Sequence, residues 1–400
     1  MTCELNFKMK ENLATSNRWT KVIYYGIIVF IGWLLFNGLS RTTPTDVMEV
    51  NFVNVINVIP QATRQNKIAM IVPFVGELPN YADIFIKSVA EQPIDVYFVD
   101  IDDRDILRKY KKYPSIKEIK LPRDFYSYAV DQMCELYKCT TLEKTTMRYY
   151  MQKSIMTTSK FLCQFRPMFS YIFRDYLVGY DYTGWIDIDT AFSNADLLSN
   201  LLHYNFDIIT LSMGDMYRLY LRGQFTLFKN TLDLQTSFVK ALPLPFLLAS
   251  LENEQLITEE APYSQYMLTT NYTIFIAPMQ VAGWDCIDNI TLRNGTLECL
   301  NFESTLVTPP TLELIATSTR QVPELTGNDC DINYMPLKYR SCFKNIENSF
   351  AVLQNQQAQI YELNAIAYNN LRRFPLFIHL QLAKYKPEKL KKLRKVFSLQ

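Results

Sequence analysis

Short apolar runs alternate with amphipathic segments through the middle of the chain. Four of these runs are rich in β-branched and aromatic residues, are too short for buried helices, and lie at 67–74, 95–99, 183–188 and 207–211. Further strands are predicted at 116–121, 223–230 and 272–277. Segments with helical spacing of apolar residues lie between many of these runs. Strand, helix and strand in succession predict βαβ units and a parallel sheet, so we expect an α/β fold.

Two helices and an insertion complete this pattern. A helix is predicted at 161–179, with Pro167 near its start. A long helix is predicted at 346–373, where apolar residues recur at helical spacing and Pro375 follows. The composition between them turns to Thr, Pro and Asn, which indicates an irregular, disulfide-held insertion around 285–345.

Two carboxylates lie at and just after the end of the apolar run at 183–188. Asp187 and Asp189 stand two apart, so in extended chain both side chains leave one face of the sheet, about 7 Å apart. Beyond them, Ser193 or Asn194 can cap a helix. Open α/β sheets bind ligands at the carboxyl ends of their strands, which makes this pair a candidate site for a divalent cation.

The spacing Asp-x-Asp is a weak signal by itself. It occurs four times, at 100/102, 103/105, 187/189 and 329/331. Among these, the pair at 187/189 alone follows a strongly apolar strand and precedes a helix. A solvated acidic loop is the competing interpretation, because a buried carboxylate without partners is costly.

The start of the chain indicates a membrane anchor. Residues 22–39 carry no charge and would span about 27 Å as a helix, close to the thickness of the hydrocarbon core. Basic residues are concentrated before this run, so the positive-inside rule leaves the N-terminus in the cytoplasm. A cleaved signal peptide is the alternative, but the run is long for one and no Ala-x-Ala site follows. We therefore predict a cytosolic tail at 1–21, a transmembrane signal-anchor at 22–39, a stem at 40–66 and a lumenal domain at 67–400.

The cysteines fit a lumenal domain. Local pairing predicts three disulfides, Cys134–Cys139, Cys286–Cys299 and Cys330–Cys342, and other connectivities stay open. Cys163 is left over in an apolar segment and is predicted to be a buried thiol. The cysteines do not show zinc-finger spacing with histidine, and the chain has only two histidines, His203 and His379.

The glycosylation acceptors also fit a lumenal domain. Acceptors for N-glycosylation cluster at Asn271, Asn289 and Asn294, which predicts an exposed glycan-bearing face.

The chain has 41 Lys and Arg against 40 Asp and Glu, a balance that argues against nucleic-acid binding. The phosphate-binding loops G-x-x-x-x-G-K-[ST] and G-x-G-x-x-G do not occur in it.

Four sequence blocks together resemble a known family. The blocks are KIAMIVPFVG at 67–76, FLCQFRPMF at 161–169, GYDYTGWIDID at 179–189 and GQFTLFKN at 223–230. In this order they are similar to blocks of glycosyltransferase-like proteins common in bacterial polysaccharide loci. The resemblance covers about 67–280, with a weaker echo at 377–384, where that family shows a His followed by basic residues. It implies a GT-A fold, the Rossmann-like fold of nucleotide-diphospho-sugar transferases.

This resemblance implies a metal and its ligands. Mn²⁺ or Mg²⁺ would bridge protein carboxylates to the diphosphate of a nucleotide sugar. By analogy, Asp189 is expected to bind the metal directly and Asp187 to contact the ribose or a metal-bound water. His379 is a candidate third ligand or diphosphate contact, and a core histidine is the other interpretation.

The resemblance also implies a nucleotide site over the first strands. The expected contacts are Pro73, Phe74, Val75 and Asp100. Lys160 and Arg166 are candidates for neutralising the diphosphate, with an exposed charge pair as the alternative. For an inverting mechanism the candidate bases are Glu259, Glu260 and Asp215, whereas a retaining mechanism needs no such base.

The expected protein is a type II Golgi membrane glycosyltransferase. Its donor is expected to be UDP- or GDP-linked, its acceptor a glycan or glycoconjugate, and a homodimer is compatible with the sequence. Gln164 and Gln224 depart from the Asp and His that the family shows, so a silent GT-A-like binding or chaperone subunit is one alternative. A lumenal metal-dependent phosphotransferase that uses the same carboxylates is the other.

Overall fold

The computed structural model describes the chain from residue 66 to residue 397, with gaps. The described residues are 66–193, 195–211, 218–253, 260, 262–277, 280–282, 286–293, 296–302, 316–322, 341–342, 349–354, 357–363, 369, 372–380 and 384–397. The predicted tail, signal-anchor and nearly all of the stem lie outside them. Within these residues, no single helix has the length and apolar composition to cross a membrane. Two helices bent by 66°, Leu232–Ala241 and Leu244–Glu252, meet that criterion only when taken together.

The secondary structure alternates strands and helices in its first two thirds. The strands are β1 (Ile68–Phe74), β2 (Ile94–Asp100), β3 (Ile116–Ile119), β4 (Tyr182–Ile186), β5 (Thr190–Phe192), β6 (Ile208–Leu211), β7 (Arg218–Leu219), β8 (Phe225–Lys229), β9 (Ile274–Ala277), β10 (Gln280–Ala282), β11 (Ile290–Arg293), β12 (Thr296–Cys299), β13 (Ala316–Val322), β14 (Ser341–Cys342), β15 (Ser349–Gln354), β16 (Gln357–Leu363) and β17 (Phe377–His379). The α-helices are α1 (Ala82–Ala90), α2 (Phe125–Tyr137), α3 (Thr141–Thr157), α4 (Arg166–Ile172), α5 (Ala195–His203), α6 (Leu232–Thr236), α7 (Phe238–Ala241), α8 (Leu244–Glu252), α9 (Pro262–Leu268) and α10 (Pro387–Val396).

The central sheet is rich in parallel strands. Its order is β13-β16-β15-β9-β6-β8-β4-β1-β2-β3. β1 pairs in parallel with both β2 and β4, and β8 runs antiparallel between β4 and β6. The chain therefore winds from β1 outward to β3 and returns on the other side of β1 as β4. Such a reversal creates a crevice at the carboxyl ends of β1 and β4, where open α/β sheets bind ligands.

Both faces of this sheet are buried. Alternate residues of β1 point to opposite sides, with Ile68 and Met70 in one apolar cluster and Ala69 and Ile71 in the other. Helices α2, α3 and α4 cover the second of these sides, and α1 and α5 cover the first. Two-sided burial explains why the parallel strands are continuous apolar runs in the sequence.

β4 and β8 approach each other unusually closely at Gly184. A Cβ atom added to Gly184 would lie 2.0 Å from the carbonyl oxygen of Thr226 in β8. A residue with a side chain therefore does not fit at this point. The close contact fixes the strand that delivers Asp187 and Asp189.

A second, three-stranded sheet lies beside these carboxylates. β17 pairs antiparallel with β5 and in parallel with β10. In this register His379 lies opposite Thr190, the residue that follows Asp189. The small sheet thus brings the C-terminal part of the chain to the end of β4.

Helix α10 closes this side of the domain. It buries Leu390 and Leu393 in an apolar cluster with Ile287 and Ala191. Its basic residues pair with acidic neighbours, as Arg394 does with Asp83 at 2.8 Å. The packing holds the C-terminal residues on the domain, close to β5.

Most strand predictions are confirmed, and two helix predictions are not. The predicted helix at 346–373 is wrong, because its described residues include β15 and β16, a hairpin whose first strand pairs with β9. The apolar spacing allowed either structure, and pairing with a buried neighbouring strand decided between them. The segment at 161–179 is divided, with 3₁₀ turns at Ser159–Phe165 and Arg174–Tyr176 on either side of α4. Pro167 stands in the first turn of α4, where its missing N–H costs nothing.

Two predicted disulfides are confirmed. Cys134 is bonded to Cys139, and Cys286 to Cys299. Cys163 is not part of a disulfide, and it is half-buried rather than fully buried. Cys330 lies outside the described residues, as does much of the predicted insertion, whose described part includes the hairpin of β11 and β12.

Candidate functional site

The site begins where β4 ends. The chain turns after Ile186, and the amide of Asp187 donates to the carbonyl of Gln224 at 3.0 Å. The hydroxyl of Thr190 donates to the carbonyl of Asp187 at 2.8 Å, which closes the turn. Because of this turn, Asp187 and Asp189 converge instead of standing apart along an extended strand. The side chain of Asp189 is only 12% exposed and that of Asp187 is 26% exposed.

The second sheet brings a histidine to this turn. Nε2 of His379 lies 3.2 Å from Oδ1 of Asp189, and the imidazole is 8% exposed. The backbone continues the contact, since the amide of Leu380 donates to the carbonyl of Asp189 at 2.7 Å. His379 was predicted as a site residue, and the structure brings it to Asp189 through the pairing of β17 with β5.

A lysine that the sequence analysis did not identify completes this cluster. Nζ of Lys384 lies 2.5 Å from Oδ2 of Asp189. The same ammonium lies 5.7 Å from the ring centroid of Tyr81 and 5.4 Å from that of Tyr385. The only signal in the sequence was the weak resemblance at 377–384, where a His is followed by basic residues.

Arginine partners the other carboxylate. The guanidinium of Arg166, at the start of α4, donates to Oδ1 of Asp187. The Arg166 side chain is 12% exposed, so this pair is largely withdrawn from solvent. Each carboxylate of the site therefore has its own cationic partner, Arg166 for Asp187 and Lys384 for Asp189.

These contacts perturb the acidity of both carboxyl groups. Burial disfavours the charged form of Asp189, but hydrogen bonds from His379 and Lys384 outweigh it and lower the pKa to about 2. Burial raises the pKa of Asp187, and the neighbouring Arg166 offsets part of that increase. Asp189 is thus the carboxylate that stays ionised most firmly.

The cluster has the donor set of a divalent-cation site. One ligand atom from each of Asp187, Asp189 and His379 lies within 4.8 Å of the others. Two carboxylate oxygens and one imidazole nitrogen suit Mn²⁺ or Mg²⁺, and three protein ligands leave coordination positions for ligand oxygens. The other ring nitrogen, Nδ1 of His379, is buried and has no hydrogen-bond partner among the described residues.

A pocket opens beside this cluster, in the crevice between β1 and β4. Its cavity volume is about 180 Å³, and its walls include Pro73, Phe74 and Val75 at the end of β1 and Asp187 after β4. Arg166 and Lys160 also line it; the Arg166 side chain is mostly buried, and Lys160 is exposed. An apolar wall with two cations and a carboxylate at its edge can hold a flat ring at one end and an anionic group at the other.

Asp100 takes a different position from the one expected of it. It ends β2 beside Phe74, but Oδ2 accepts from the amides of Arg104 and Ile106 at 2.7 and 3.3 Å. It does not line the pocket between β1 and β4. Its contacts shape the loop after β2.

Of the three candidate bases, Glu260 is among the described residues, and it does not line the pocket. Oε1 of Glu260 accepts from the amide of Gly223 at 3.0 Å, which supports the turn before β8. Glu259 and Asp215 lie outside the described residues.

Gln164 and Gln224, which depart from the family that the sequence resembles, lie in different parts of the structure. Gln164 is 5% exposed and does not line the pocket. Gln224 accepts the amide of Asp187 through its backbone carbonyl, which any residue type provides.

The chain matches the sequence model of a protein family. The sequence model of DUF6625, a family of unknown function, matches residues 70–275, which is more than half of the chain. The matched region begins within β1, ends within β9 and includes both carboxylates, whereas His379 and Lys384 follow it. None of the curated proteins compared with the chain is similar to it.

Proposed function

The chain belongs to DUF6625, a family of unknown function, and we propose that it is a metal-dependent glycosyltransferase that uses a nucleotide-sugar donor. One observation carries the proposal. Asp187, Asp189 and His379 converge at the end of β4, directly beside a pocket that contains Arg166 and Lys160. A divalent cation on the carboxylates and an anionic group on the cations could be bound side by side in this arrangement.

A nucleoside diphosphate fits the two parts of this site. The apolar wall of Pro73, Phe74 and Val75 suits a base and ribose at the ends of the first strands. Arg166 is positioned to donate to a diphosphate at the mouth of the pocket, with Lys160 as a more exposed second cation. This arrangement supports the nucleotide position predicted from the sequence, except for Asp100.

The metal would be held by Asp189 and His379, with Asp187 as a third ligand or as a contact to ribose. A divalent cation at this position supplies Lewis-acid stabilisation of the charge that develops on the leaving diphosphate. The low pKa of Asp189 keeps this ligand ionised at neutral pH, so no proton has to leave before a cation binds. Arg166 would neutralise a further part of the negative charge of the diphosphate.

The finer fold assignment belongs to the same proposal. The order β3-β2-β1-β4, with the site at the reversal, is compatible with a Rossmann-like sheet, and we assign it to the GT-A type. We also propose a type II Golgi membrane protein whose domain is lumenal. Its support is the uncharged run at 22–39 together with the disulfides Cys134–Cys139 and Cys286–Cys299, which form in oxidising compartments.

The test is a donor screen. The full-length chain, purified in detergent, is incubated with UDP- and GDP-linked sugars with Mn²⁺ or with EDTA, and release of nucleoside diphosphate is measured. We expect release from one donor in Mn²⁺ only, and loss of release in Asp189→Asn. Asp175→Asn, which changes an exposed carboxylate outside the site, is the matched control and should retain activity.

The screen also separates the rival functions. A silent GT-A-like subunit would release no nucleoside diphosphate and would show no Mn²⁺-dependent affinity for UDP or GDP. A phosphotransferase would move phosphate from a phosphorylated donor and leave the nucleotide sugars intact. Equal release by the wild type and by Asp189→Asn would refute the proposed metal site.

A further inference from the structure

Lys384 occupies a position that a divalent cation would also require. Its ammonium lies 2.5 Å from Oδ2 of Asp189, the carboxylate that is proposed to bind the metal directly. A metal ion binds a carboxylate oxygen at about 2.2 Å, so an ion on this oxygen would lie less than about 5 Å from the ammonium. Two cations at that separation in a site of low exposure repel each other strongly.

The site is already neutralised by residues of the chain itself. Arg166 pairs with Asp187, and Lys384 pairs with Asp189, so two carboxylates face two fixed cations. Adding a divalent ion without moving either cation would leave a net charge of about +2 in a largely buried place. The ion can therefore enter at low cost only when an anionic ligand arrives or when one of the two cations leaves.

Lys384 is the cation that can leave. Its side chain is a flexible stem of four methylene groups and is 19% exposed, whereas the guanidinium of Arg166 is 12% exposed and lies in the pocket wall. The ring centroids of Tyr81 and Tyr385 lie 5.7 and 5.4 Å from the ammonium, so aromatic partners other than the carboxylate are within reach of it.

We propose that Lys384 is a built-in competitor of the divalent cation, so that metal binding requires the exchange of its ammonium for the ion at Asp189. The inference rests on the metal site of the proposed function and adds to it a residue that opposes metal binding. Its consequence is that the free cation binds weakly. The site is then filled mainly when the cation arrives together with an anionic ligand that compensates its charge.

Binding of Mn²⁺ alone tests this proposal without any turnover. The dissociation constant of Mn²⁺ is measured by electron paramagnetic resonance for the full-length wild type and for Lys384→Met, which keeps the length of the stem and removes the charge. We expect Lys384→Met to bind Mn²⁺ at least tenfold more tightly. Lys391→Met, an exposed lysine of α10, is the matched control and should bind like the wild type.

A second measurement uses the wild type and does not depend on a variant that folds. Lysines are labelled with an amine-reactive ester, and the labelling rate of Lys384 is followed by mass spectrometry with and without Mn²⁺. Exchange predicts that Mn²⁺ raises the rate at Lys384 several-fold, because the ammonium is released from Asp189, and leaves Lys391 unchanged. An unchanged rate at Lys384 contradicts the exchange.

The outcomes distinguish this inference from the proposed function. Equal or weaker Mn²⁺ binding by Lys384→Met overturns the inference and leaves the donor screen unaffected. Absence of Mn²⁺ binding in every variant overturns both the metal site and the exchange. Tighter binding by Lys384→Met, abolished when Asp189→Asn is added, supports the exchange even if no nucleotide sugar is turned over.

Discussion

Nε2 of His379 lies 3.2 Å from Oδ1 of Asp189, although the two residues are 190 positions apart in the chain. The contact is made by β17, which pairs with β5 and sets His379 opposite the residue after Asp189. The site therefore combines one element from the middle of the chain with one near its end.

His379→Gln is expected to weaken Mn²⁺ binding by about tenfold or more. Loss of an outer-shell partner alone costs about 10- to 100-fold in metal affinity, and the proposed metal site uses His379 as a ligand. Mn²⁺ binding by electron paramagnetic resonance checks this. His203→Gln serves as the control, because His203 is the other histidine of the chain and is exposed on α5. Unchanged affinity in His379→Gln would mean that this histidine only supports the fold.

Arg166→Gln is expected to weaken the binding of nucleoside diphosphate in the presence of Mn²⁺. Charge-assisted hydrogen bonds contribute about 1.5–3 kcal/mol each, so a loss of about tenfold or more is expected for UDP or GDP by calorimetry. Arg166→Lys should recover part of this affinity, since the charge stays and the fork geometry is lost. Arg174→Gln is the control, because Arg174 pairs with Glu135 away from the pocket. The same affinity in Arg166→Gln and Arg174→Gln would place the diphosphate elsewhere.

Gly184→Ala is expected to destabilise the fold by about 3 kcal/mol or more. The new Cβ would meet the carbonyl oxygen of Thr226 at 2.0 Å, and backbone atoms of a paired strand cannot move aside cheaply. The measurement is the free energy of unfolding in urea. Leu142→Ala, which truncates a leucine that is 75% exposed, should change it by less than about 0.5 kcal/mol. A Gly184→Ala protein as stable as Leu142→Ala would refute the close approach of β4 and β8.

Asp207 is expected to stabilise the domain in a pH-dependent way. Burial opposes its charge, but Lys229 at 2.8 Å and the amide and hydroxyl of Thr273 outweigh burial and lower the pKa of Asp207 below 3.8. A carboxyl group with a lowered native pKa stabilises the fold above its unfolded pKa, and this contribution is lost as the pH falls through the native value.

Comparison of the wild type with Asp207→Asn by urea unfolding checks that sign. The wild type should be more stable by about 1 kcal/mol at pH 7, a value kept small because the side chains are partly exposed. The difference should stay constant down to about pH 5 and shrink below about pH 4. A difference that grows toward low pH would contradict the lowered pKa.

The sheet could be predicted because its strands are marked by local sequence. β1, β2, β4 and β6 are apolar on both faces, and that pattern is typical of parallel strands covered by helices on two sides. The hairpin of β15 and β16 could not be predicted in this way. Its apolar spacing fits a helix equally well, and its structure is decided by pairing with β9, more than 70 residues earlier.

Some residues of the site could likewise be predicted from the sequence, whereas their contacts could not. By itself the sequence determined that Asp187 and Asp189 follow a buried strand, because period and composition are local properties. It also marked Arg166, Lys160 and His379 as candidates. The tertiary structure alone decided that His379 and Lys384 reach Asp189, that Arg166 takes Asp187, and that Asp100 and Glu260 support loops instead. These contacts depend on the pairing of β17 with β5 and on the turn after Ile186, and strand pairing across 190 residues leaves no periodicity in the sequence.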